Sequence, residues 1–306
     1  MTLLGEGRLD RLRARARVLE AIRGYFAREG FLEVETPVRV PSPGMDLHLD
    51  AFPAGPERWL ITSPEYQMKR LVAGGAGNIF QVCRCFRRDE LGDHHEPEFT
   101  MLEWYRLGGS ERVRRDTEQV VASCAVAVND SVRVRVRDRI VDLAPPWPVL
   151  TVREALADVG EDLDAILPDE ERFFRTWVQK VEPGLGLEQP VFVTEWPASM
   201  ASLARLCPHD PSVADRFEVY VYGLELSNGF DELTDPVEQR RRFERDQRAR
   251  AAAGRTVFPI DERFMAALEE GLPRCSGNAL GVDRLVMLLT GAETIAEVVA
   301  IPSRWL

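Results

Sequence analysis

Long apolar runs are missing from this sequence. No stretch of its 306 residues approaches the ~20 apolar positions of a membrane-spanning helix. The N-terminal MTLLGEGRLDRLRARARV places charges where a secretory signal needs an apolar centre. Neither a membrane span nor an export signal is expected, and a cytoplasmic location is. Cysteine is scarce, with five residues at positions 83, 85, 124, 207 and 275. An odd count without framework spacing argues against a secreted disulfide scaffold, and Cys83-Arg-Cys85 has no second pair to complete a zinc site. Positive charge is also in deficit. Lys and Arg number 39 against 50 Asp and Glu, for a net charge of −11, which argues against a broad nucleic-acid footprint. Neither G-x-G-x-x-G nor G-x-x-x-x-G-K-[ST] occurs, so a nucleotide would have to be held by something other than a doubly wound sheet or a phosphate loop.

What is present reads as α+β. Leu9, Leu12, Ala16, Leu19, Ile22 and Phe26 recur at three and four, predicting an amphipathic helix over 8–29 that Gly30 stops. FLEVETP reads as a strand ending at Pro37, followed by a loop over 41–57 and a strand over 58–62. Ser63 is expected to cap a helix that Gly74 and Gly75 terminate. Strands are expected at 79–86 and 99–106, joined by a charged loop over 87–97, and a helix over 110–128. VRVRVRD alternates strictly, and FEVYVYGLELSNGF reads as a strand or a hairpin around Gly223 that displays Glu218 and Glu225. A charged helix over 236–252 precedes a glycine turn, a strand edge and a final helix. The many strands between helices point to a largely antiparallel sheet.

Two segments carry the chemistry. FRRDELGDHHEPEFTMLEWYR (86–106) brings a basic cluster, a polar loop, carboxylates and a tyrosine into one hairpin. SGNALGVDR (276–284) supplies glycines and another arginine. One arginine from each is suited to grip a triphosphate, with carboxylates to hold magnesium and an amino group. Such a site activates an acid with ATP. Taken by residue type alone, Phe99 reads more readily as core, and Glu218 with Glu225 as a solvated strand face.

The motifs tip that balance. FLEVETP, FRRDELGDHHEPEFTMLEWYR and GNALGVDR resemble motifs 1, 2 and 3 of the class II aminoacyl-tRNA synthetases of the lysyl type, and SPEYQMKRL and LSNGFDELTD resemble its specificity segments. The resemblance covers nearly the whole chain. It implies the class II catalytic fold, a mainly antiparallel sheet flanked by helices, over 1–306 as a single domain. The chain is more similar to the tRNA-independent branch, whose members attach (R)-β-lysine to elongation factor P. Motif 1 begins almost at the N-terminus, so no N-terminal OB-fold anticodon-binding domain is expected, and Ala279 stands where lysyl-tRNA synthetases carry glycine.

The resemblance implies roles residue by residue. Arg87 and Arg284 are the catalytic arginines, Arg87 on the α-phosphate and substrate carboxylate, where a guanidinium offers a fixed fork of donors. Arg284 is expected against the adenine or the terminal phosphates, opposite Phe99. Arg88, Asp89, His95, Glu96, Glu225, Leu226 and Gly281 complete the ATP side. Glu218 and Glu225 are expected to hold Mg²⁺. Ser63, Pro64, Glu65, Glu103, Tyr105, Asn228, Glu232 and Ala279 are expected around (R)-β-lysine or lysine, because several acids around one small ligand imply more than one amine. The loop departs from the family, with Arg88-Asp89 for Asn-Glu, Asp93 for an arginine and Glu96 for asparagine. A homodimer is implied, with no stable tRNA or DNA binding. The competing expectations are a ligase acting on tRNA or a small amine, and a non-catalytic regulatory relative. The latter should have lost the phosphate arginines or metal acids, which are all here.

Overall fold

The structure is a computed structural model that describes residues 7–306, so the first six residues of the N-terminal stretch lie outside the described residues. The helices are α1 (Arg8–Arg28), α2 (Glu65–Ala73), α3 (Ser110–Asn129), α4 (Val152–Ala157), α5 (Leu163–Ile166), α6 (Glu170–Thr176), α7 (Pro236–Ala252), α8 (Glu262–Gly271) and α9 (Val282–Thr290). The strands are β1 (Leu32–Glu33), β2 (Arg39–Val40), β3 (Trp59–Leu60), β4 (Ile79–Phe86), β5 (Glu98–Leu107), β6 (Arg133–Val136), β7 (Arg139–Asp142), β8 (Val149–Thr151), β9 (Val191–Pro197), β10 (Leu206–Cys207), β11 (Asp210–Val221), β12 (Leu224–Asp231) and β13 (Cys275–Gly281).

Nine strands form one sheet in the order β1-β4-β5-β13-β12-β11-β9-β8, with β10 on β11. Pairing is antiparallel except at the two ends, where β1 lies parallel to β4 and β8 parallel to β9. The mixed but mainly antiparallel sheet with flanking helices bears out the α+β expectation.

Period-two alternation divides the sheet into two faces with different work. On β5, Leu102 and Trp104 enter a large apolar cluster with Val18, Ile22 and Phe26 of α1, Val113, Val120 and Val121 of α3, and Leu285 and Val286 of α9. On β11, Phe217, Val219 and Val221 join the same cluster. At ~1.5–3 kcal/mol for each large side chain buried, this layer anchors the sheet. The residues between them, Glu103 and Tyr105 on β5 and Arg216, Glu218 and Tyr220 on β11, point to the opposite face. There α2, α7 and α8 pack around Tyr66, Phe243 and Phe264.

Three local expectations change. FLEVETP is strand only over Leu32–Glu33, with one further backbone bond from the Val34 N–H to the Phe80 carbonyl at 2.9 Å. SGNALGVDR begins not as a turn but as β13, a central strand between β5 and β12. The absence of side-chain bulk is what admits it: a Cβ on Gly277 would lie 2.4 Å from Tyr105 Cε1 and 2.8 Å from Glu232 Oε1. Finally, Pro64 occupies the N-cap position of α2, and Ser63 lies one residue before it.

Candidate active site

A cavity of about 440 Å³ opens on the second face, lined by β11, β12 and β13, the β4–β5 loop, and the segment 42–49. Its position comes from the alternation of the central strands, which sends their polar side chains to one side. One more device is needed for Glu225. Glu218 pairs with Asn228 and Val219 with Ser227, but the next pair is Tyr220 with Glu225. The extra residue in β12 is a bulge, which reverses the facing of the residues on its far side. Without it Glu225 would pair with Val221 and face the apolar cluster. With it, Glu225 shares the cavity side with Glu218. The adjoining hairpin turn, Tyr222-Gly223, has φ of 53° and 70°, the left-handed pair that a two-residue connection requires.

At one end of the cavity stand the two arginines. Arg87 lies with its guanidinium 5.1 Å from the centre of the Phe99 ring. Its Nε is buried without a partner, and Nη1 reaches Glu90 only at 3.5 Å, so donors remain for an incoming anion. Arg284 donates to the Glu225 carbonyl at 2.7 Å and meets His95 Nε2 at 2.8 Å. Burial, and then Arg284, hold the His95 imidazole below its ordinary pKa, which keeps it neutral and able to accept that bond. Asp283 accepts from the Thr100 backbone N–H at 2.6 Å and pairs with Arg15, tying α1 to the base of the arginine.

Glu218 is held by Arg216 and by the Tyr220 hydroxyl at 2.6 Å, itself bonded by Trp177 Nε1 at 2.9 Å. Burial raises the Glu218 pKa to about 7, against the lowering by Arg216, and Glu225 raises it further. Among the described residues, no cluster of three or more His, Cys, Asp and Glu has metal-holding geometry. Glu218 and Glu225 nonetheless fit a hard divalent ion shared with phosphates. Both line the cavity with carboxylate oxygens, the ligand type such an ion takes, Glu218 beside Arg216 and Glu225 3.5 Å from Arg284.

At the other end, Ser63, Glu65, Asn228 and Ala279 line the wall. Behind them lies a buried polar layer. Glu103 accepts from Ser63 Oγ at 2.6 Å and from the Tyr105 hydroxyl at 2.7 Å. Glu232 comes directly after β12 and sits beside Lys69, whose Nζ is 2.5 Å from Glu232 Oε2 and 2.5 Å from Glu65 Oε1. Burial raises Glu103 to about 7 and Glu232 to about 8. Tyr105 is pushed well up by burial and these acids, so it remains a donor.

Most of the expected residues therefore gather at one cavity, but not all. Leu226, Gly281, His95, Glu96 and Phe99 line it. The carboxylate of Glu96 accepts from the Ser303 N–H at 3.1 Å, so the C-terminal segment occupies it. Arg88 and Asp89 lie outside the lining; Arg88 instead pairs with Asp50 and Asp89. Pro64 is also outside the lining, in the turn that aims Ser63. Several contributors escape sequence reasoning. The four-residue spacing of Glu65 and Lys69 was a usable signal. Asp283 lay inside the GNALGVDR motif, next to Arg284; Arg216 had no signal, and nor did Arg250, which is fully buried and bonds the carbonyls of Asp46, Leu47 and Leu49, holding the cavity segment in place.

Comparison with known proteins agrees with this geometry. The family model for class II tRNA synthetases (D, K and N) matches residues 1–304. A protein of Proteus mirabilis (strain HI4320) named elongation factor P–(R)-β-lysine ligase is 46% identical over 307 residues, covering 94% of this chain and 93% of the relative. One of the same name from Klebsiella pneumoniae (strain 342) is 45% identical over 314 residues, covering 95% and 94%.

Proposed function

The chain belongs to the class II tRNA synthetase family (D, K and N), and from that premise we propose that it is an ATP-dependent ligase that activates (R)-β-lysine and transfers it to a lysine of elongation factor P. ATP use comes with the family. The observation that carries the finer reading is a single cavity with unpaired guanidinium donors and two carboxylates at one end and a layer of buried acids at the other. Relatives that cover nearly its whole length bear that activity as their name.

The donor carboxylate attacks the α-phosphorus of ATP, forming the aminoacyl adenylate and releasing pyrophosphate. Arg87 holds the carboxylate oxygen and the α-phosphate together, since its planar fork meets both. Arg284 and Phe99 enclose the adenine, and His95 fixes the guanidinium of Arg284. Glu218 and Glu225 would hold Mg²⁺, which when bound would offset charge on the phosphates. Glu103, Glu232 and Tyr105 receive the side-chain ammonium of the donor, and Glu65 its other amine. The ε-amine of the acceptor lysine then attacks the activated carbonyl, an amide forms and AMP leaves. The proton passes to phosphate or solvent, and no covalent enzyme intermediate arises. Residues 1–306 act as one catalytic domain, as a homodimer in the cytoplasm, without stable tRNA or DNA binding. The net charge of −11 favours a protein acceptor over a polyanion.

The test is the intact mass of elongation factor P after incubation with the protein, ATP, Mg²⁺ and (R)-β-lysine. A β-lysyl increment that needs both ATP and the acceptor lysine is expected. Pyrophosphate exchange without that increment would move the acceptor to RNA or another amine.

A further inference from the structure

The donor end of the cavity contains a cation of its own. Lys69 lies on α2 one turn after Glu65, and its side chain is 1% exposed. The titratable and charged groups packed around its Nζ come from four elements. Glu65 belongs to the same helix, Glu103 and Tyr105 to β5, Glu232 to the end of β12 and Cys275 to β13. On the α8 side the neighbour is the Phe264 ring, 6.0 Å from Nζ and as far as the Tyr105 ring. Two ion pairs of 2.5 Å keep the ammonium charged against its burial.

With all three carboxylates ionised, three acids and one ammonium leave two negative charges. The carboxylate of Glu232 is fully buried, and Oε1 has no hydrogen-bond partner or ion pair. A buried acceptor left open in this way takes a donor that the described side chains do not supply. Glu65 alone of the three acids reaches the cavity wall, and Lys69 ties it to Glu232 behind.

We propose that Lys69 is a specificity-determining positioning residue: it cancels one of the three acids, so that the donor pocket carries the two negative charges a diamino acid neutralises, and it holds Glu65 toward the wall. A donor with one amine leaves a buried carboxylate uncompensated, and that deficit is what rejects it. The inference rests on the diamino-acid reading of the site given under Proposed function.

Its test is ATP–pyrophosphate exchange by the full chain carrying Lys69→Met, a neutral side chain of similar length. With the ammonium gone, the remaining acids hold their protons to higher pH and no longer meet the donor amines at neutrality. The KM for (R)-β-lysine at pH 7 is expected to rise by about tenfold or more, while the KM for ATP stays within about twofold of the parent's. The pH at which the donor KM reaches its low plateau moves to the alkaline side. The double variant Lys69→Met/Glu232→Gln restores the count of two and brings the donor KM back toward that of the parent. A lysine needed only for folding predicts the opposite, namely additive damage. If neither variant folds, or if Lys69→Met leaves both donor KM and pH profile unchanged in an active protein, Lys69 has no such role. A parent protein that exchanges pyrophosphate with monoamino acids in preference to diamino acids overturns the diamino reading itself.

Discussion

The two ends of the cavity are built on opposite principles. At the phosphate end Glu218 is buried and tightly paired with Arg216, but the groups around it stay partly in contact with solvent, 26% exposed for Arg87, 17% for Arg284 and 38% for Glu225. Their mutual ion pairs are long, 3.5 Å for Arg87–Glu90 and for Arg284–Glu225. At the donor end Lys69 and Glu232 are 1% and 0% exposed and 2.5 Å apart. A triphosphate arrives with its own charge and counterion, so the protein needs only loosely committed donors that an anion can recruit. A small diammonium acid brings little surface, so discrimination depends on carboxylates already stripped of water, where an unmet charge is expensive. On the proposed function, the first end supplies rate and the second supplies selection.

That division can be tested, beginning where the effect is greatest. Arg87→Ala removes the group proposed to bridge the carboxylate and the α-phosphate. Pyrophosphate exchange should fall about 10³-fold, about 4 kcal/mol of transition-state stabilisation, with thermal stability nearly unchanged. A fall confined to the donor KM would place Arg87 at the wrong end. Glu218→Gln should cost about a hundredfold in kcat and raise the Mg²⁺ concentration for half-maximal rate; EDTA should abolish exchange by both proteins. An unaltered Mg²⁺ titration would remove Glu218 from the metal side.

Gly277→Ala attacks the donor end through packing. Its Cβ would fall within 2.4 Å of the Tyr105 ring and 2.8 Å of Glu232, so about 3 kcal/mol of stability should be lost in denaturant titration. The donor KM should rise more than the ATP KM. Equal changes in the two would contradict the separation of the ends. The smallest effect is on pH. Glu103 and Glu232 have pKa values raised to about 7 and about 8, burial being the chief cause. Acids so raised are neutral below that window and ionise as pH rises through it, so only then do they meet an ammonium. The donor KM should therefore fall several-fold between about pH 6 and pH 8.5, before the donor amines themselves lose protons. A donor KM that rises over this interval would show that the acids are already ionised.

Much of the fold and site was legible because the motifs carry short-range physics. The hairpin over 79–107 is announced by alternating apolar positions on both sides of a charged loop, and its arginine, phenylalanine and acids keep their places relative to one another whatever surrounds them. The same locality accounts for the misread segments. SGNALG looks like a turn, because glycines are turn residues when only neighbours in sequence are considered. In the strand that forms instead, Tyr105 and Glu232, distant in sequence, fill the space a side chain at Gly277 would take. Arg88 and Asp89 share a motif with residues of the site, yet the loop turns Arg88 to Asp50 and keeps both out of the cavity lining.

The amino-acid sequence by itself determined the family, the α+β class and the residue types at both ends of the site, since each is written in segments of fewer than about twenty-five residues whose pattern does not depend on the rest. Only the tertiary structure decided that a one-residue bulge turns Glu225 to the cavity, that Lys69 stands between two acids from different elements, and that the C-terminal segment occupies Glu96. The physical reason is common to all three. Strand facing, the pairing of buried charges and the satisfaction of a carboxylate are settled by partners that the chain brings together only on folding.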